Sequence, residues 1–216
     1  MRKHVKTIVM MIFIVVVLVG VYLALSRRNK EETSTDQAAA RSIEDMTRTQ
    51  KLIAEAAYKD YPSTPVQLLK YYNDITICFY NEDYTEDELR ALAQISRGML
   101  DAELVANQTN DQYFEQLKKD IANLKLQGDY GTTIYSIDVT PSMDVFYFEH
   151  EGYECARLYD TFTMKQMKSG TIYYPVVRYV YVMRRDEEGH WKILGFKKEE
   201  DEAESSSGAP LPNVGL

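Results

Sequence analysis

Cysteine and histidine are scarce in this chain of 216 residues, at two and three copies respectively, and their scarcity removes whole classes of chemistry. Cys78 and Cys155 lie in distant segments, so the chain has no CxxC pair and no zinc-ligand spacing. An exported domain could bridge them, but their apolar neighbourhoods favour two buried free thiols. His4 stands near the start of the chain, and His150 and His190 fall at expected turns, where a general base would be bathed in water. The patterns GxGxxG, GxxxxGK[ST], HExxH and GxSxG and the calcium-loop spacing do not occur, so neither a metal nor a cofactor is expected. Basic residues are in deficit. Against 33 Asp and Glu stand 25 Lys and Arg, a formal net charge of −8, which excludes a broad phosphate-binding surface and with it a nucleic-acid partner.

One long apolar run is present. Thr7 to Leu25 reads TIVMMIFIVVVLVGVYLAL without a charged residue. At about 1.5 Å per residue such a helix spans roughly 28 Å, the hydrocarbon thickness of a bilayer. A cleaved secretory signal has a shorter apolar stretch ending in small residues, whereas here Tyr22 and Leu23 crowd the would-be site and Arg27 and Arg28 follow at once. We therefore read residues 1–6 as a stub, 7–25 as a signal-anchor helix and 26–40 as a polar stalk. The soluble domain occupies 41–198, and 199–216 form an acidic Ser- and Pro-containing tail that cannot build a core. The flanking cations Arg2, Lys3 and Lys6 nearly balance Arg27, Arg28 and Lys30. Large downstream domains translocate regardless of such charges, so we expect a single-pass protein of the cell membrane with its domain outside.

The first half of the domain reads as helix. A polar-faced helix is expected from about Arg41 to Asp60, with Ile43, Met46, Ile53 and Ala57 near one stripe. Thr64-Pro65-Val66-Gln67 opens a second with a capping hydroxyl and proline at the first helical position. Thr85 to Glu88 is a capping box for a third helix reaching about Ala106, and a fourth runs from Asp111 to Leu126 before Gly128. After Gly128 the period shortens to two. Thr132–Val139, Asp144–Phe148, Tyr153–Lys165, Ile172–Arg184 and Trp191–Lys197 read as about five strands, with short polar joints that predict successive antiparallel hairpins. The class is α+β: about four helices packed on a curved antiparallel sheet of about five strands.

This order, closed by Glu188-Gly189-His190-Trp191-Lys192-Ile193-Leu194-Gly195-Phe196, resembles the nuclear transport factor two-like superfamily. The last strand of that superfamily often reads Gly-x-Trp-Lys-Ile before a small residue. The chain is also similar to membrane-anchored single-span proteins of low-GC Gram-positive bacteria, in which the stretches around Tyr61-Pro62-Ser63-Thr64-Pro65 and Tyr80-Asn81-Glu82-Asp83 recur. The resemblance implies a cone-shaped domain with a central pocket, in which catalytic members place a carboxylate. The chain departs from commoner members by setting nearly all its helix before any strand.

Two groups of residues stand out. Asp160 shares its strand face with Ala156, Leu158, Phe162 and Met164, so an apolar stripe carries an acid whose burial would raise its pKa. A structural role at a bend, or in a pair with a lysine or arginine, is the simpler account of it. Seventeen tyrosines are the second signal. Tyr159, Tyr173, Tyr179 and Tyr181 fall in expected strands and suggest a ligand or partner surface, since tyrosine joins a large contact area to a polar tip. Both faces of the 172–184 strand are substantially apolar, so a second copy of the chain could cover one of them, giving a homodimer through the sheet. The expectation is a membrane-anchored, non-catalytic module that binds or assembles with an unidentified protein or small molecule. The alternatives are an isomerase- or dehydratase-like pocket using Asp160, or a scaffold subunit of the secretion and conjugation type.

Overall fold

The computed structural model describes residues 46–129 and 131–199. The Thr7–Leu25 run, the whole of the stalk and the tail after Glu199 lie outside the described residues. Among the described residues no helix is long and apolar enough to cross a membrane.

Among the described residues five α-helices come first: α1 (Arg48–Glu55), α2 (Pro65–Asn81), α3 (Glu86–Arg97), α4 (Ala102–Ala106) and α5 (Asn110–Lys125). Threonine caps four of them. Thr47, Thr85 and Thr109 form full capping boxes with Gln50, Glu88 and Gln112, each pair satisfying two N-terminal backbone groups. At α2 the Thr64 hydroxyl accepts from the Gln67 backbone N–H, while the Gln67 side chain accepts from the Ser63 N–H and hydroxyl instead of closing a box. The buried side of α1 is Thr49 and Leu52, and Ile53 lies beside that stripe, not at its centre. Buried residues lie on several sides of α2, because α1, α3, α5, β1 and β6 all pack around it.

The expected third helix is in fact two. After Gly98 the backbone of Met99 to Asp101 runs beside the last strand: the Ile193 N–H donates to the Met99 carbonyl (2.9 Å), and the Asp101 N–H donates to the Ile193 carbonyl (2.8 Å). These pairings outcompete helix continuation, and Asp101 then caps α4 by accepting from the Glu103 N–H.

Six strands form one antiparallel sheet: β1 (Thr132–Val139), β2 (Phe146–His150), β3 (Tyr153–Lys168), β4 (Thr171–Tyr173), β5 (Val176–Arg185) and β6 (Trp191–Lys198). The joint at Thr140-Pro141-Ser142 makes no hairpin, contrary to the sequence expectation. Both β1 and β2 pair antiparallel with β3, β1 along residues 160–166 and β2 along 153–157, so they run in line on one edge with the 3₁₀ turn Ser142–Asp144 between them. Thr140 bridges that gap, donating its N–H to the Tyr159 carbonyl and accepting from the Tyr159 N–H at its hydroxyl. On the other edge of β3 the expected strand 172–184 is split into β4 and β5 at Tyr174-Pro175, since proline has no N–H for the ladder. Bulges at Ile134/Ser136 and Val182/Met183 bend their strands.

Asn81, the last residue of α2, grips the first bulge. Its amide donates to the Ile134 carbonyl (2.7 Å) and accepts from the Ile134 N–H (2.8 Å), standing in for a neighbouring strand. We expect Asn81→Ala to cost about 1–3 kcal/mol, because it strands two partly buried backbone groups. Urea unfolding would check this, and an unchanged midpoint would show that Asn81 is dispensable.

Candidate functional site: a buried aspartate beneath a tyrosine cluster

The helix-facing side of the sheet carries Ala156, Leu158, Asp160 and Phe162 from β3 and, opposite them, Met183, Tyr181, Tyr179 and Val177 from β5. Asp160 has no exposed surface. Its partner is Asn73 on α2, whose Nδ2 donates to Oδ2 at 2.9 Å. The simpler account of Asp160 therefore changes in one respect: a neutral amide, not a lysine or arginine, meets the carboxylate. Burial pushes its pKa up to about 7, and the Asn73 hydrogen bond only moderates the rise. Asp160 Oδ1 and Asn73 Oδ1 are both buried without a hydrogen-bond partner among the described residues. Two desolvated acceptor atoms thus lie together at the centre of the domain.

A group of phenols begins beside this pair, with Tyr179 the cross-strand neighbour of Asp160 and Tyr181 within its electrostatic reach. Tyr72 and Tyr80 come from one side of α2, Tyr113 from α5, and Tyr179 and Tyr181 from β5. Their mutual influence shows their proximity: burial raises Tyr181 first, with Tyr72, Asp160, Tyr179 and Tyr80 adding to the rise. Burial likewise lifts Tyr80 to about 12, reinforced by Asp120, Tyr179, Tyr84 and Tyr113. Burial, with Tyr113 and Tyr80 adding to it, pushes the Tyr72 phenol far above its ordinary range, although the side chain keeps some exposed surface. The Tyr113 hydroxyl is bonded to Ser96 Oγ at 3.0 Å. Tyr72, Tyr80 and Tyr179 are half-buried, and Tyr181 is buried like Asp160.

The four tyrosines singled out in sequence do not share one surface. Tyr179 and Tyr181 face the helices. Tyr159 lies on the opposite, open face with the Arg178 guanidinium 4.1 Å above its ring. Tyr173 is half exposed on the short β4. That open face also bears the exposed Val176, Phe146 with Arg157 over it, and Tyr174, which meets the exposed Tyr135 of the β1 bulge edge-on. Sequence reasoning missed Asn73, although it stands where an apolar residue would continue the row of Val66 and Leu69. It also passed over Tyr72 and Tyr80, two turns apart on one helix side.

A second cluster lies at the β5–β6 turn, where ligand atoms of Asp186, Glu188 and His190 fall within 4.8 Å of one another. Asp186 Oδ1 already accepts from the Glu188 and His190 backbone N–H groups, and the His190 ring packs on Tyr61. Turn formation accounts for the arrangement. Cys78 and Cys155 are both free and buried.

Residues 1–196 match the family described as Domain of unknown function (DUF6715). The chain belongs to that family. No curated protein matches it. The DUF6715 match extends beyond the α+β domain at its N-terminal end, taking in the apolar run and the stalk as well as the tyrosine cluster.

Proposed function

We propose that this DUF6715 chain is a membrane-tethered, non-catalytic binding module whose domain, outside the cell membrane, takes a small ligand between helices and sheet at the Asp160–Asn73 pair. The observation that carries the reading is the pair of unpartnered buried acceptors, Asp160 Oδ1 and Asn73 Oδ1. A desolvated polar atom without a hydrogen bond costs about 1–3 kcal/mol, more if charged, and a bound donor would recover that cost. The tether rests on the uncharged run Thr7–Leu25, and the nuclear transport factor two-like resemblance agrees with a site between helices and sheet.

Two measurements test this. Ligand-observed NMR on the full chain in detergent micelles should find small polar binders whose signals weaken in Asn73→Leu and Tyr72→Ala variants. Binders that ignore both substitutions would remove this site from the proposal. Protease treatment of intact cells should digest the domain, and deleting residues 7–25 should release it from the membrane fraction. A domain protected until the cells are opened would reverse the orientation.

A second reading is favoured by the burial of Asp160 in an apolar row, which pushes its carboxyl up to about 7, as a general base in an isomerase- or dehydratase-like pocket would need. It requires substrate to reach a carboxylate with no exposed surface. The scaffold reading, with a second copy or a secretion-type partner on the open sheet face, rests on the exposed Tyr135, Phe146, Tyr174 and Val176. Crosslinking in membranes separates it from the binding module, since a purely monomeric pattern leaves that face unoccupied.

A further inference from the structure

The sheet face turned away from the helices reverses the charge of the chain. Against a formal net charge of −8 for the whole sequence, its strands carry four exposed cations among the described residues, Arg157 and Lys165 from β3, Arg178 from β5 and Lys197 from β6. One exposed acid, Asp138 of β1, stands with them. Apolar side chains lie between the charges: Phe146 and Val176 are exposed, and Tyr159 and Val180 half-buried. The face is open at the β6 end, where a Cβ added to Gly195, the partner of Val182, would meet nothing within 4 Å beyond its chain neighbours. Two of the cations are steadied by rings. Arg157 Cζ lies 4.9 Å from the Phe146 ring centroid, and Arg178 Cζ 4.1 Å from that of Tyr159. A guanidinium held in this way gives up less freedom on binding, and its planar fork suits a carboxylate. Glu199 already shows the mode: its carboxylate meets Arg178 Nη1 at 3.0 Å, and its N–H donates to the Arg178 carbonyl at 2.8 Å. That contact joins side chain and backbone, as a peptide can and a lipid headgroup cannot. The ion pairs of the sheet use Arg178, Arg184 and Arg185, and among the described residues they leave Arg157, Lys165 and Lys197 without a carboxylate.

We propose that this face docks an acidic peptide segment of a partner protein, its carboxylates pairing with Arg157, Lys165 and Lys197 and its apolar side chains lying on Phe146, Tyr159 and Val180. The inference rests on the reading of the open face as a docking surface and gives that partner a chemistry. It makes no use of the Asp160–Asn73 pair, so it stands or falls apart from ligand binding there. Exposed charges are screened over about 10 Å at 0.1 M salt, so the complex weakens as salt rises.

The test is fluorescence anisotropy of dye-labelled peptides titrated with the full chain in phosphatidylcholine nanodiscs, empty nanodiscs serving as the blank. A peptide of the repeat Glu-Glu-Leu-Leu sets acids and apolar side chains alternately on each side of an extended chain, and Lys-Lys-Leu-Leu reverses its charge. The acidic peptide should bind, about tenfold more weakly at about 0.5 M salt than at about 0.05 M, and the basic one should not. Arg157→Glu and Gly195→Glu each bring an acid onto the face and should each weaken binding by about tenfold or more. Gly195→Glu enters open space, so its melting curve should match that of the wild type. Lys119→Glu, a charge reversal at an exposed site on α5, should leave binding unchanged. Equal binding of the two peptides, affinity indifferent to Arg157→Glu and Gly195→Glu, or no binding of the acidic peptide at millimolar concentration would overturn the proposal. Flotation of the chain with added phosphatidylglycerol vesicles in place of peptide binding would overturn it in favour of a lipid surface. Peptide binding seen only after deletion of residues 200–216 would make the chain's own acidic tail the occupant. Dimers that are lost in Arg157→Glu and withstand the peptide would assign the face to a second copy, and either result would remove the partner protein.

Discussion

Asp160→Asn should make the domain more stable at pH 8, with a melting temperature raised by on the order of 10 °C. The carboxyl group has an ordinary value of 3.8 and is pushed to about 7 in the folded chain, where burial outweighs the single hydrogen bond from Asn73. Between these values the folded state holds a proton that the unfolded state has released. Stability therefore falls as pH rises from about 4 to about 7 and is flat in this respect above 7. A difference near three pH units corresponds to about 4 kcal/mol, the cost of burying the charge without a partner. Asparagine keeps the acceptor for Asn73 Nδ2, adds a donor that the neighbouring Asn73 Oδ1 can receive, and carries no charge. The gain should shrink towards zero as pH falls to 4 and below, where the folded Asp160 is protonated and the unfolded carboxyl is taking up its proton. Denaturant titrations at pH 4, 6 and 8 check the pattern. A variant whose pH profile runs parallel to that of the wild type would mean that Asp160 is ionised and satisfied throughout. An activity that requires a charged group commonly costs stability in this way.

The acid itself was legible in the sequence, because period-two alternation puts residue 160 in a row with Ala156, Leu158 and Phe162, and the strand supplies nothing polar beside it. Its partner was harder to see. Asn73 reaches Asp160 across 87 positions of sequence, and only the packing of α2 onto the sheet decides which of its sides meets β3. For the same reason the tyrosines sorted differently in space than in sequence. Alternation separates Tyr159 from Tyr179 and Tyr181 once the register Asp160–Tyr179 is known, and register depends on pairing that no local pattern encodes.

The helix count and the connections show where local signals mislead. Threonine capping boxes marked the starts of α3 and α5 because capping is chemistry between residues three apart. The end of α3 was invisible, since it is fixed by backbone bonds from Met99 and Asp101 to Ile193, far along the chain. Thr140-Pro141-Ser142 has the composition of a hairpin turn, yet both flanking strands lie on one edge of β3. β3 is long enough, at 16 residues, to pair with two strands in series. A long strand offers an edge, and a proline-containing joint then serves as an interruption and not a reversal.

The second large effect should come from Arg184→Met, with a loss of about 3–5 kcal/mol. Arg184 on β5 grips Asp101 with a two-pronged contact, Nε to Oδ2 at 3.0 Å and Nη2 to Oδ1 at 2.5 Å, and Nη1 reaches Glu103 Oε1 at 2.8 Å. Asp101 is 2% exposed, and the arginine lies over the Tyr153 ring with Cζ 4.8 Å from its centroid, its charge further secured by these carboxylates. Methionine keeps much of the bulk and removes the countercharge, so Asp101 would be left charged in a site with almost no water. Lysine is no substitute, because one ammonium cannot serve two carboxylate oxygens and Glu103 in the planar fork. The diagnostic experiment is the double variant. Adding Asp101→Asn to Arg184→Met deletes the stranded charge and keeps a side chain able to cap α4, so most of the lost stability should return. Urea unfolding of the four proteins completes the cycle, and additive losses would refute the pairing. The ion pair also bears on the tyrosine cluster. Arg184 follows Met183 and lies three residues beyond Tyr181, so the clamp between α4 and β5 holds the strand that presents Tyr179 and Tyr181.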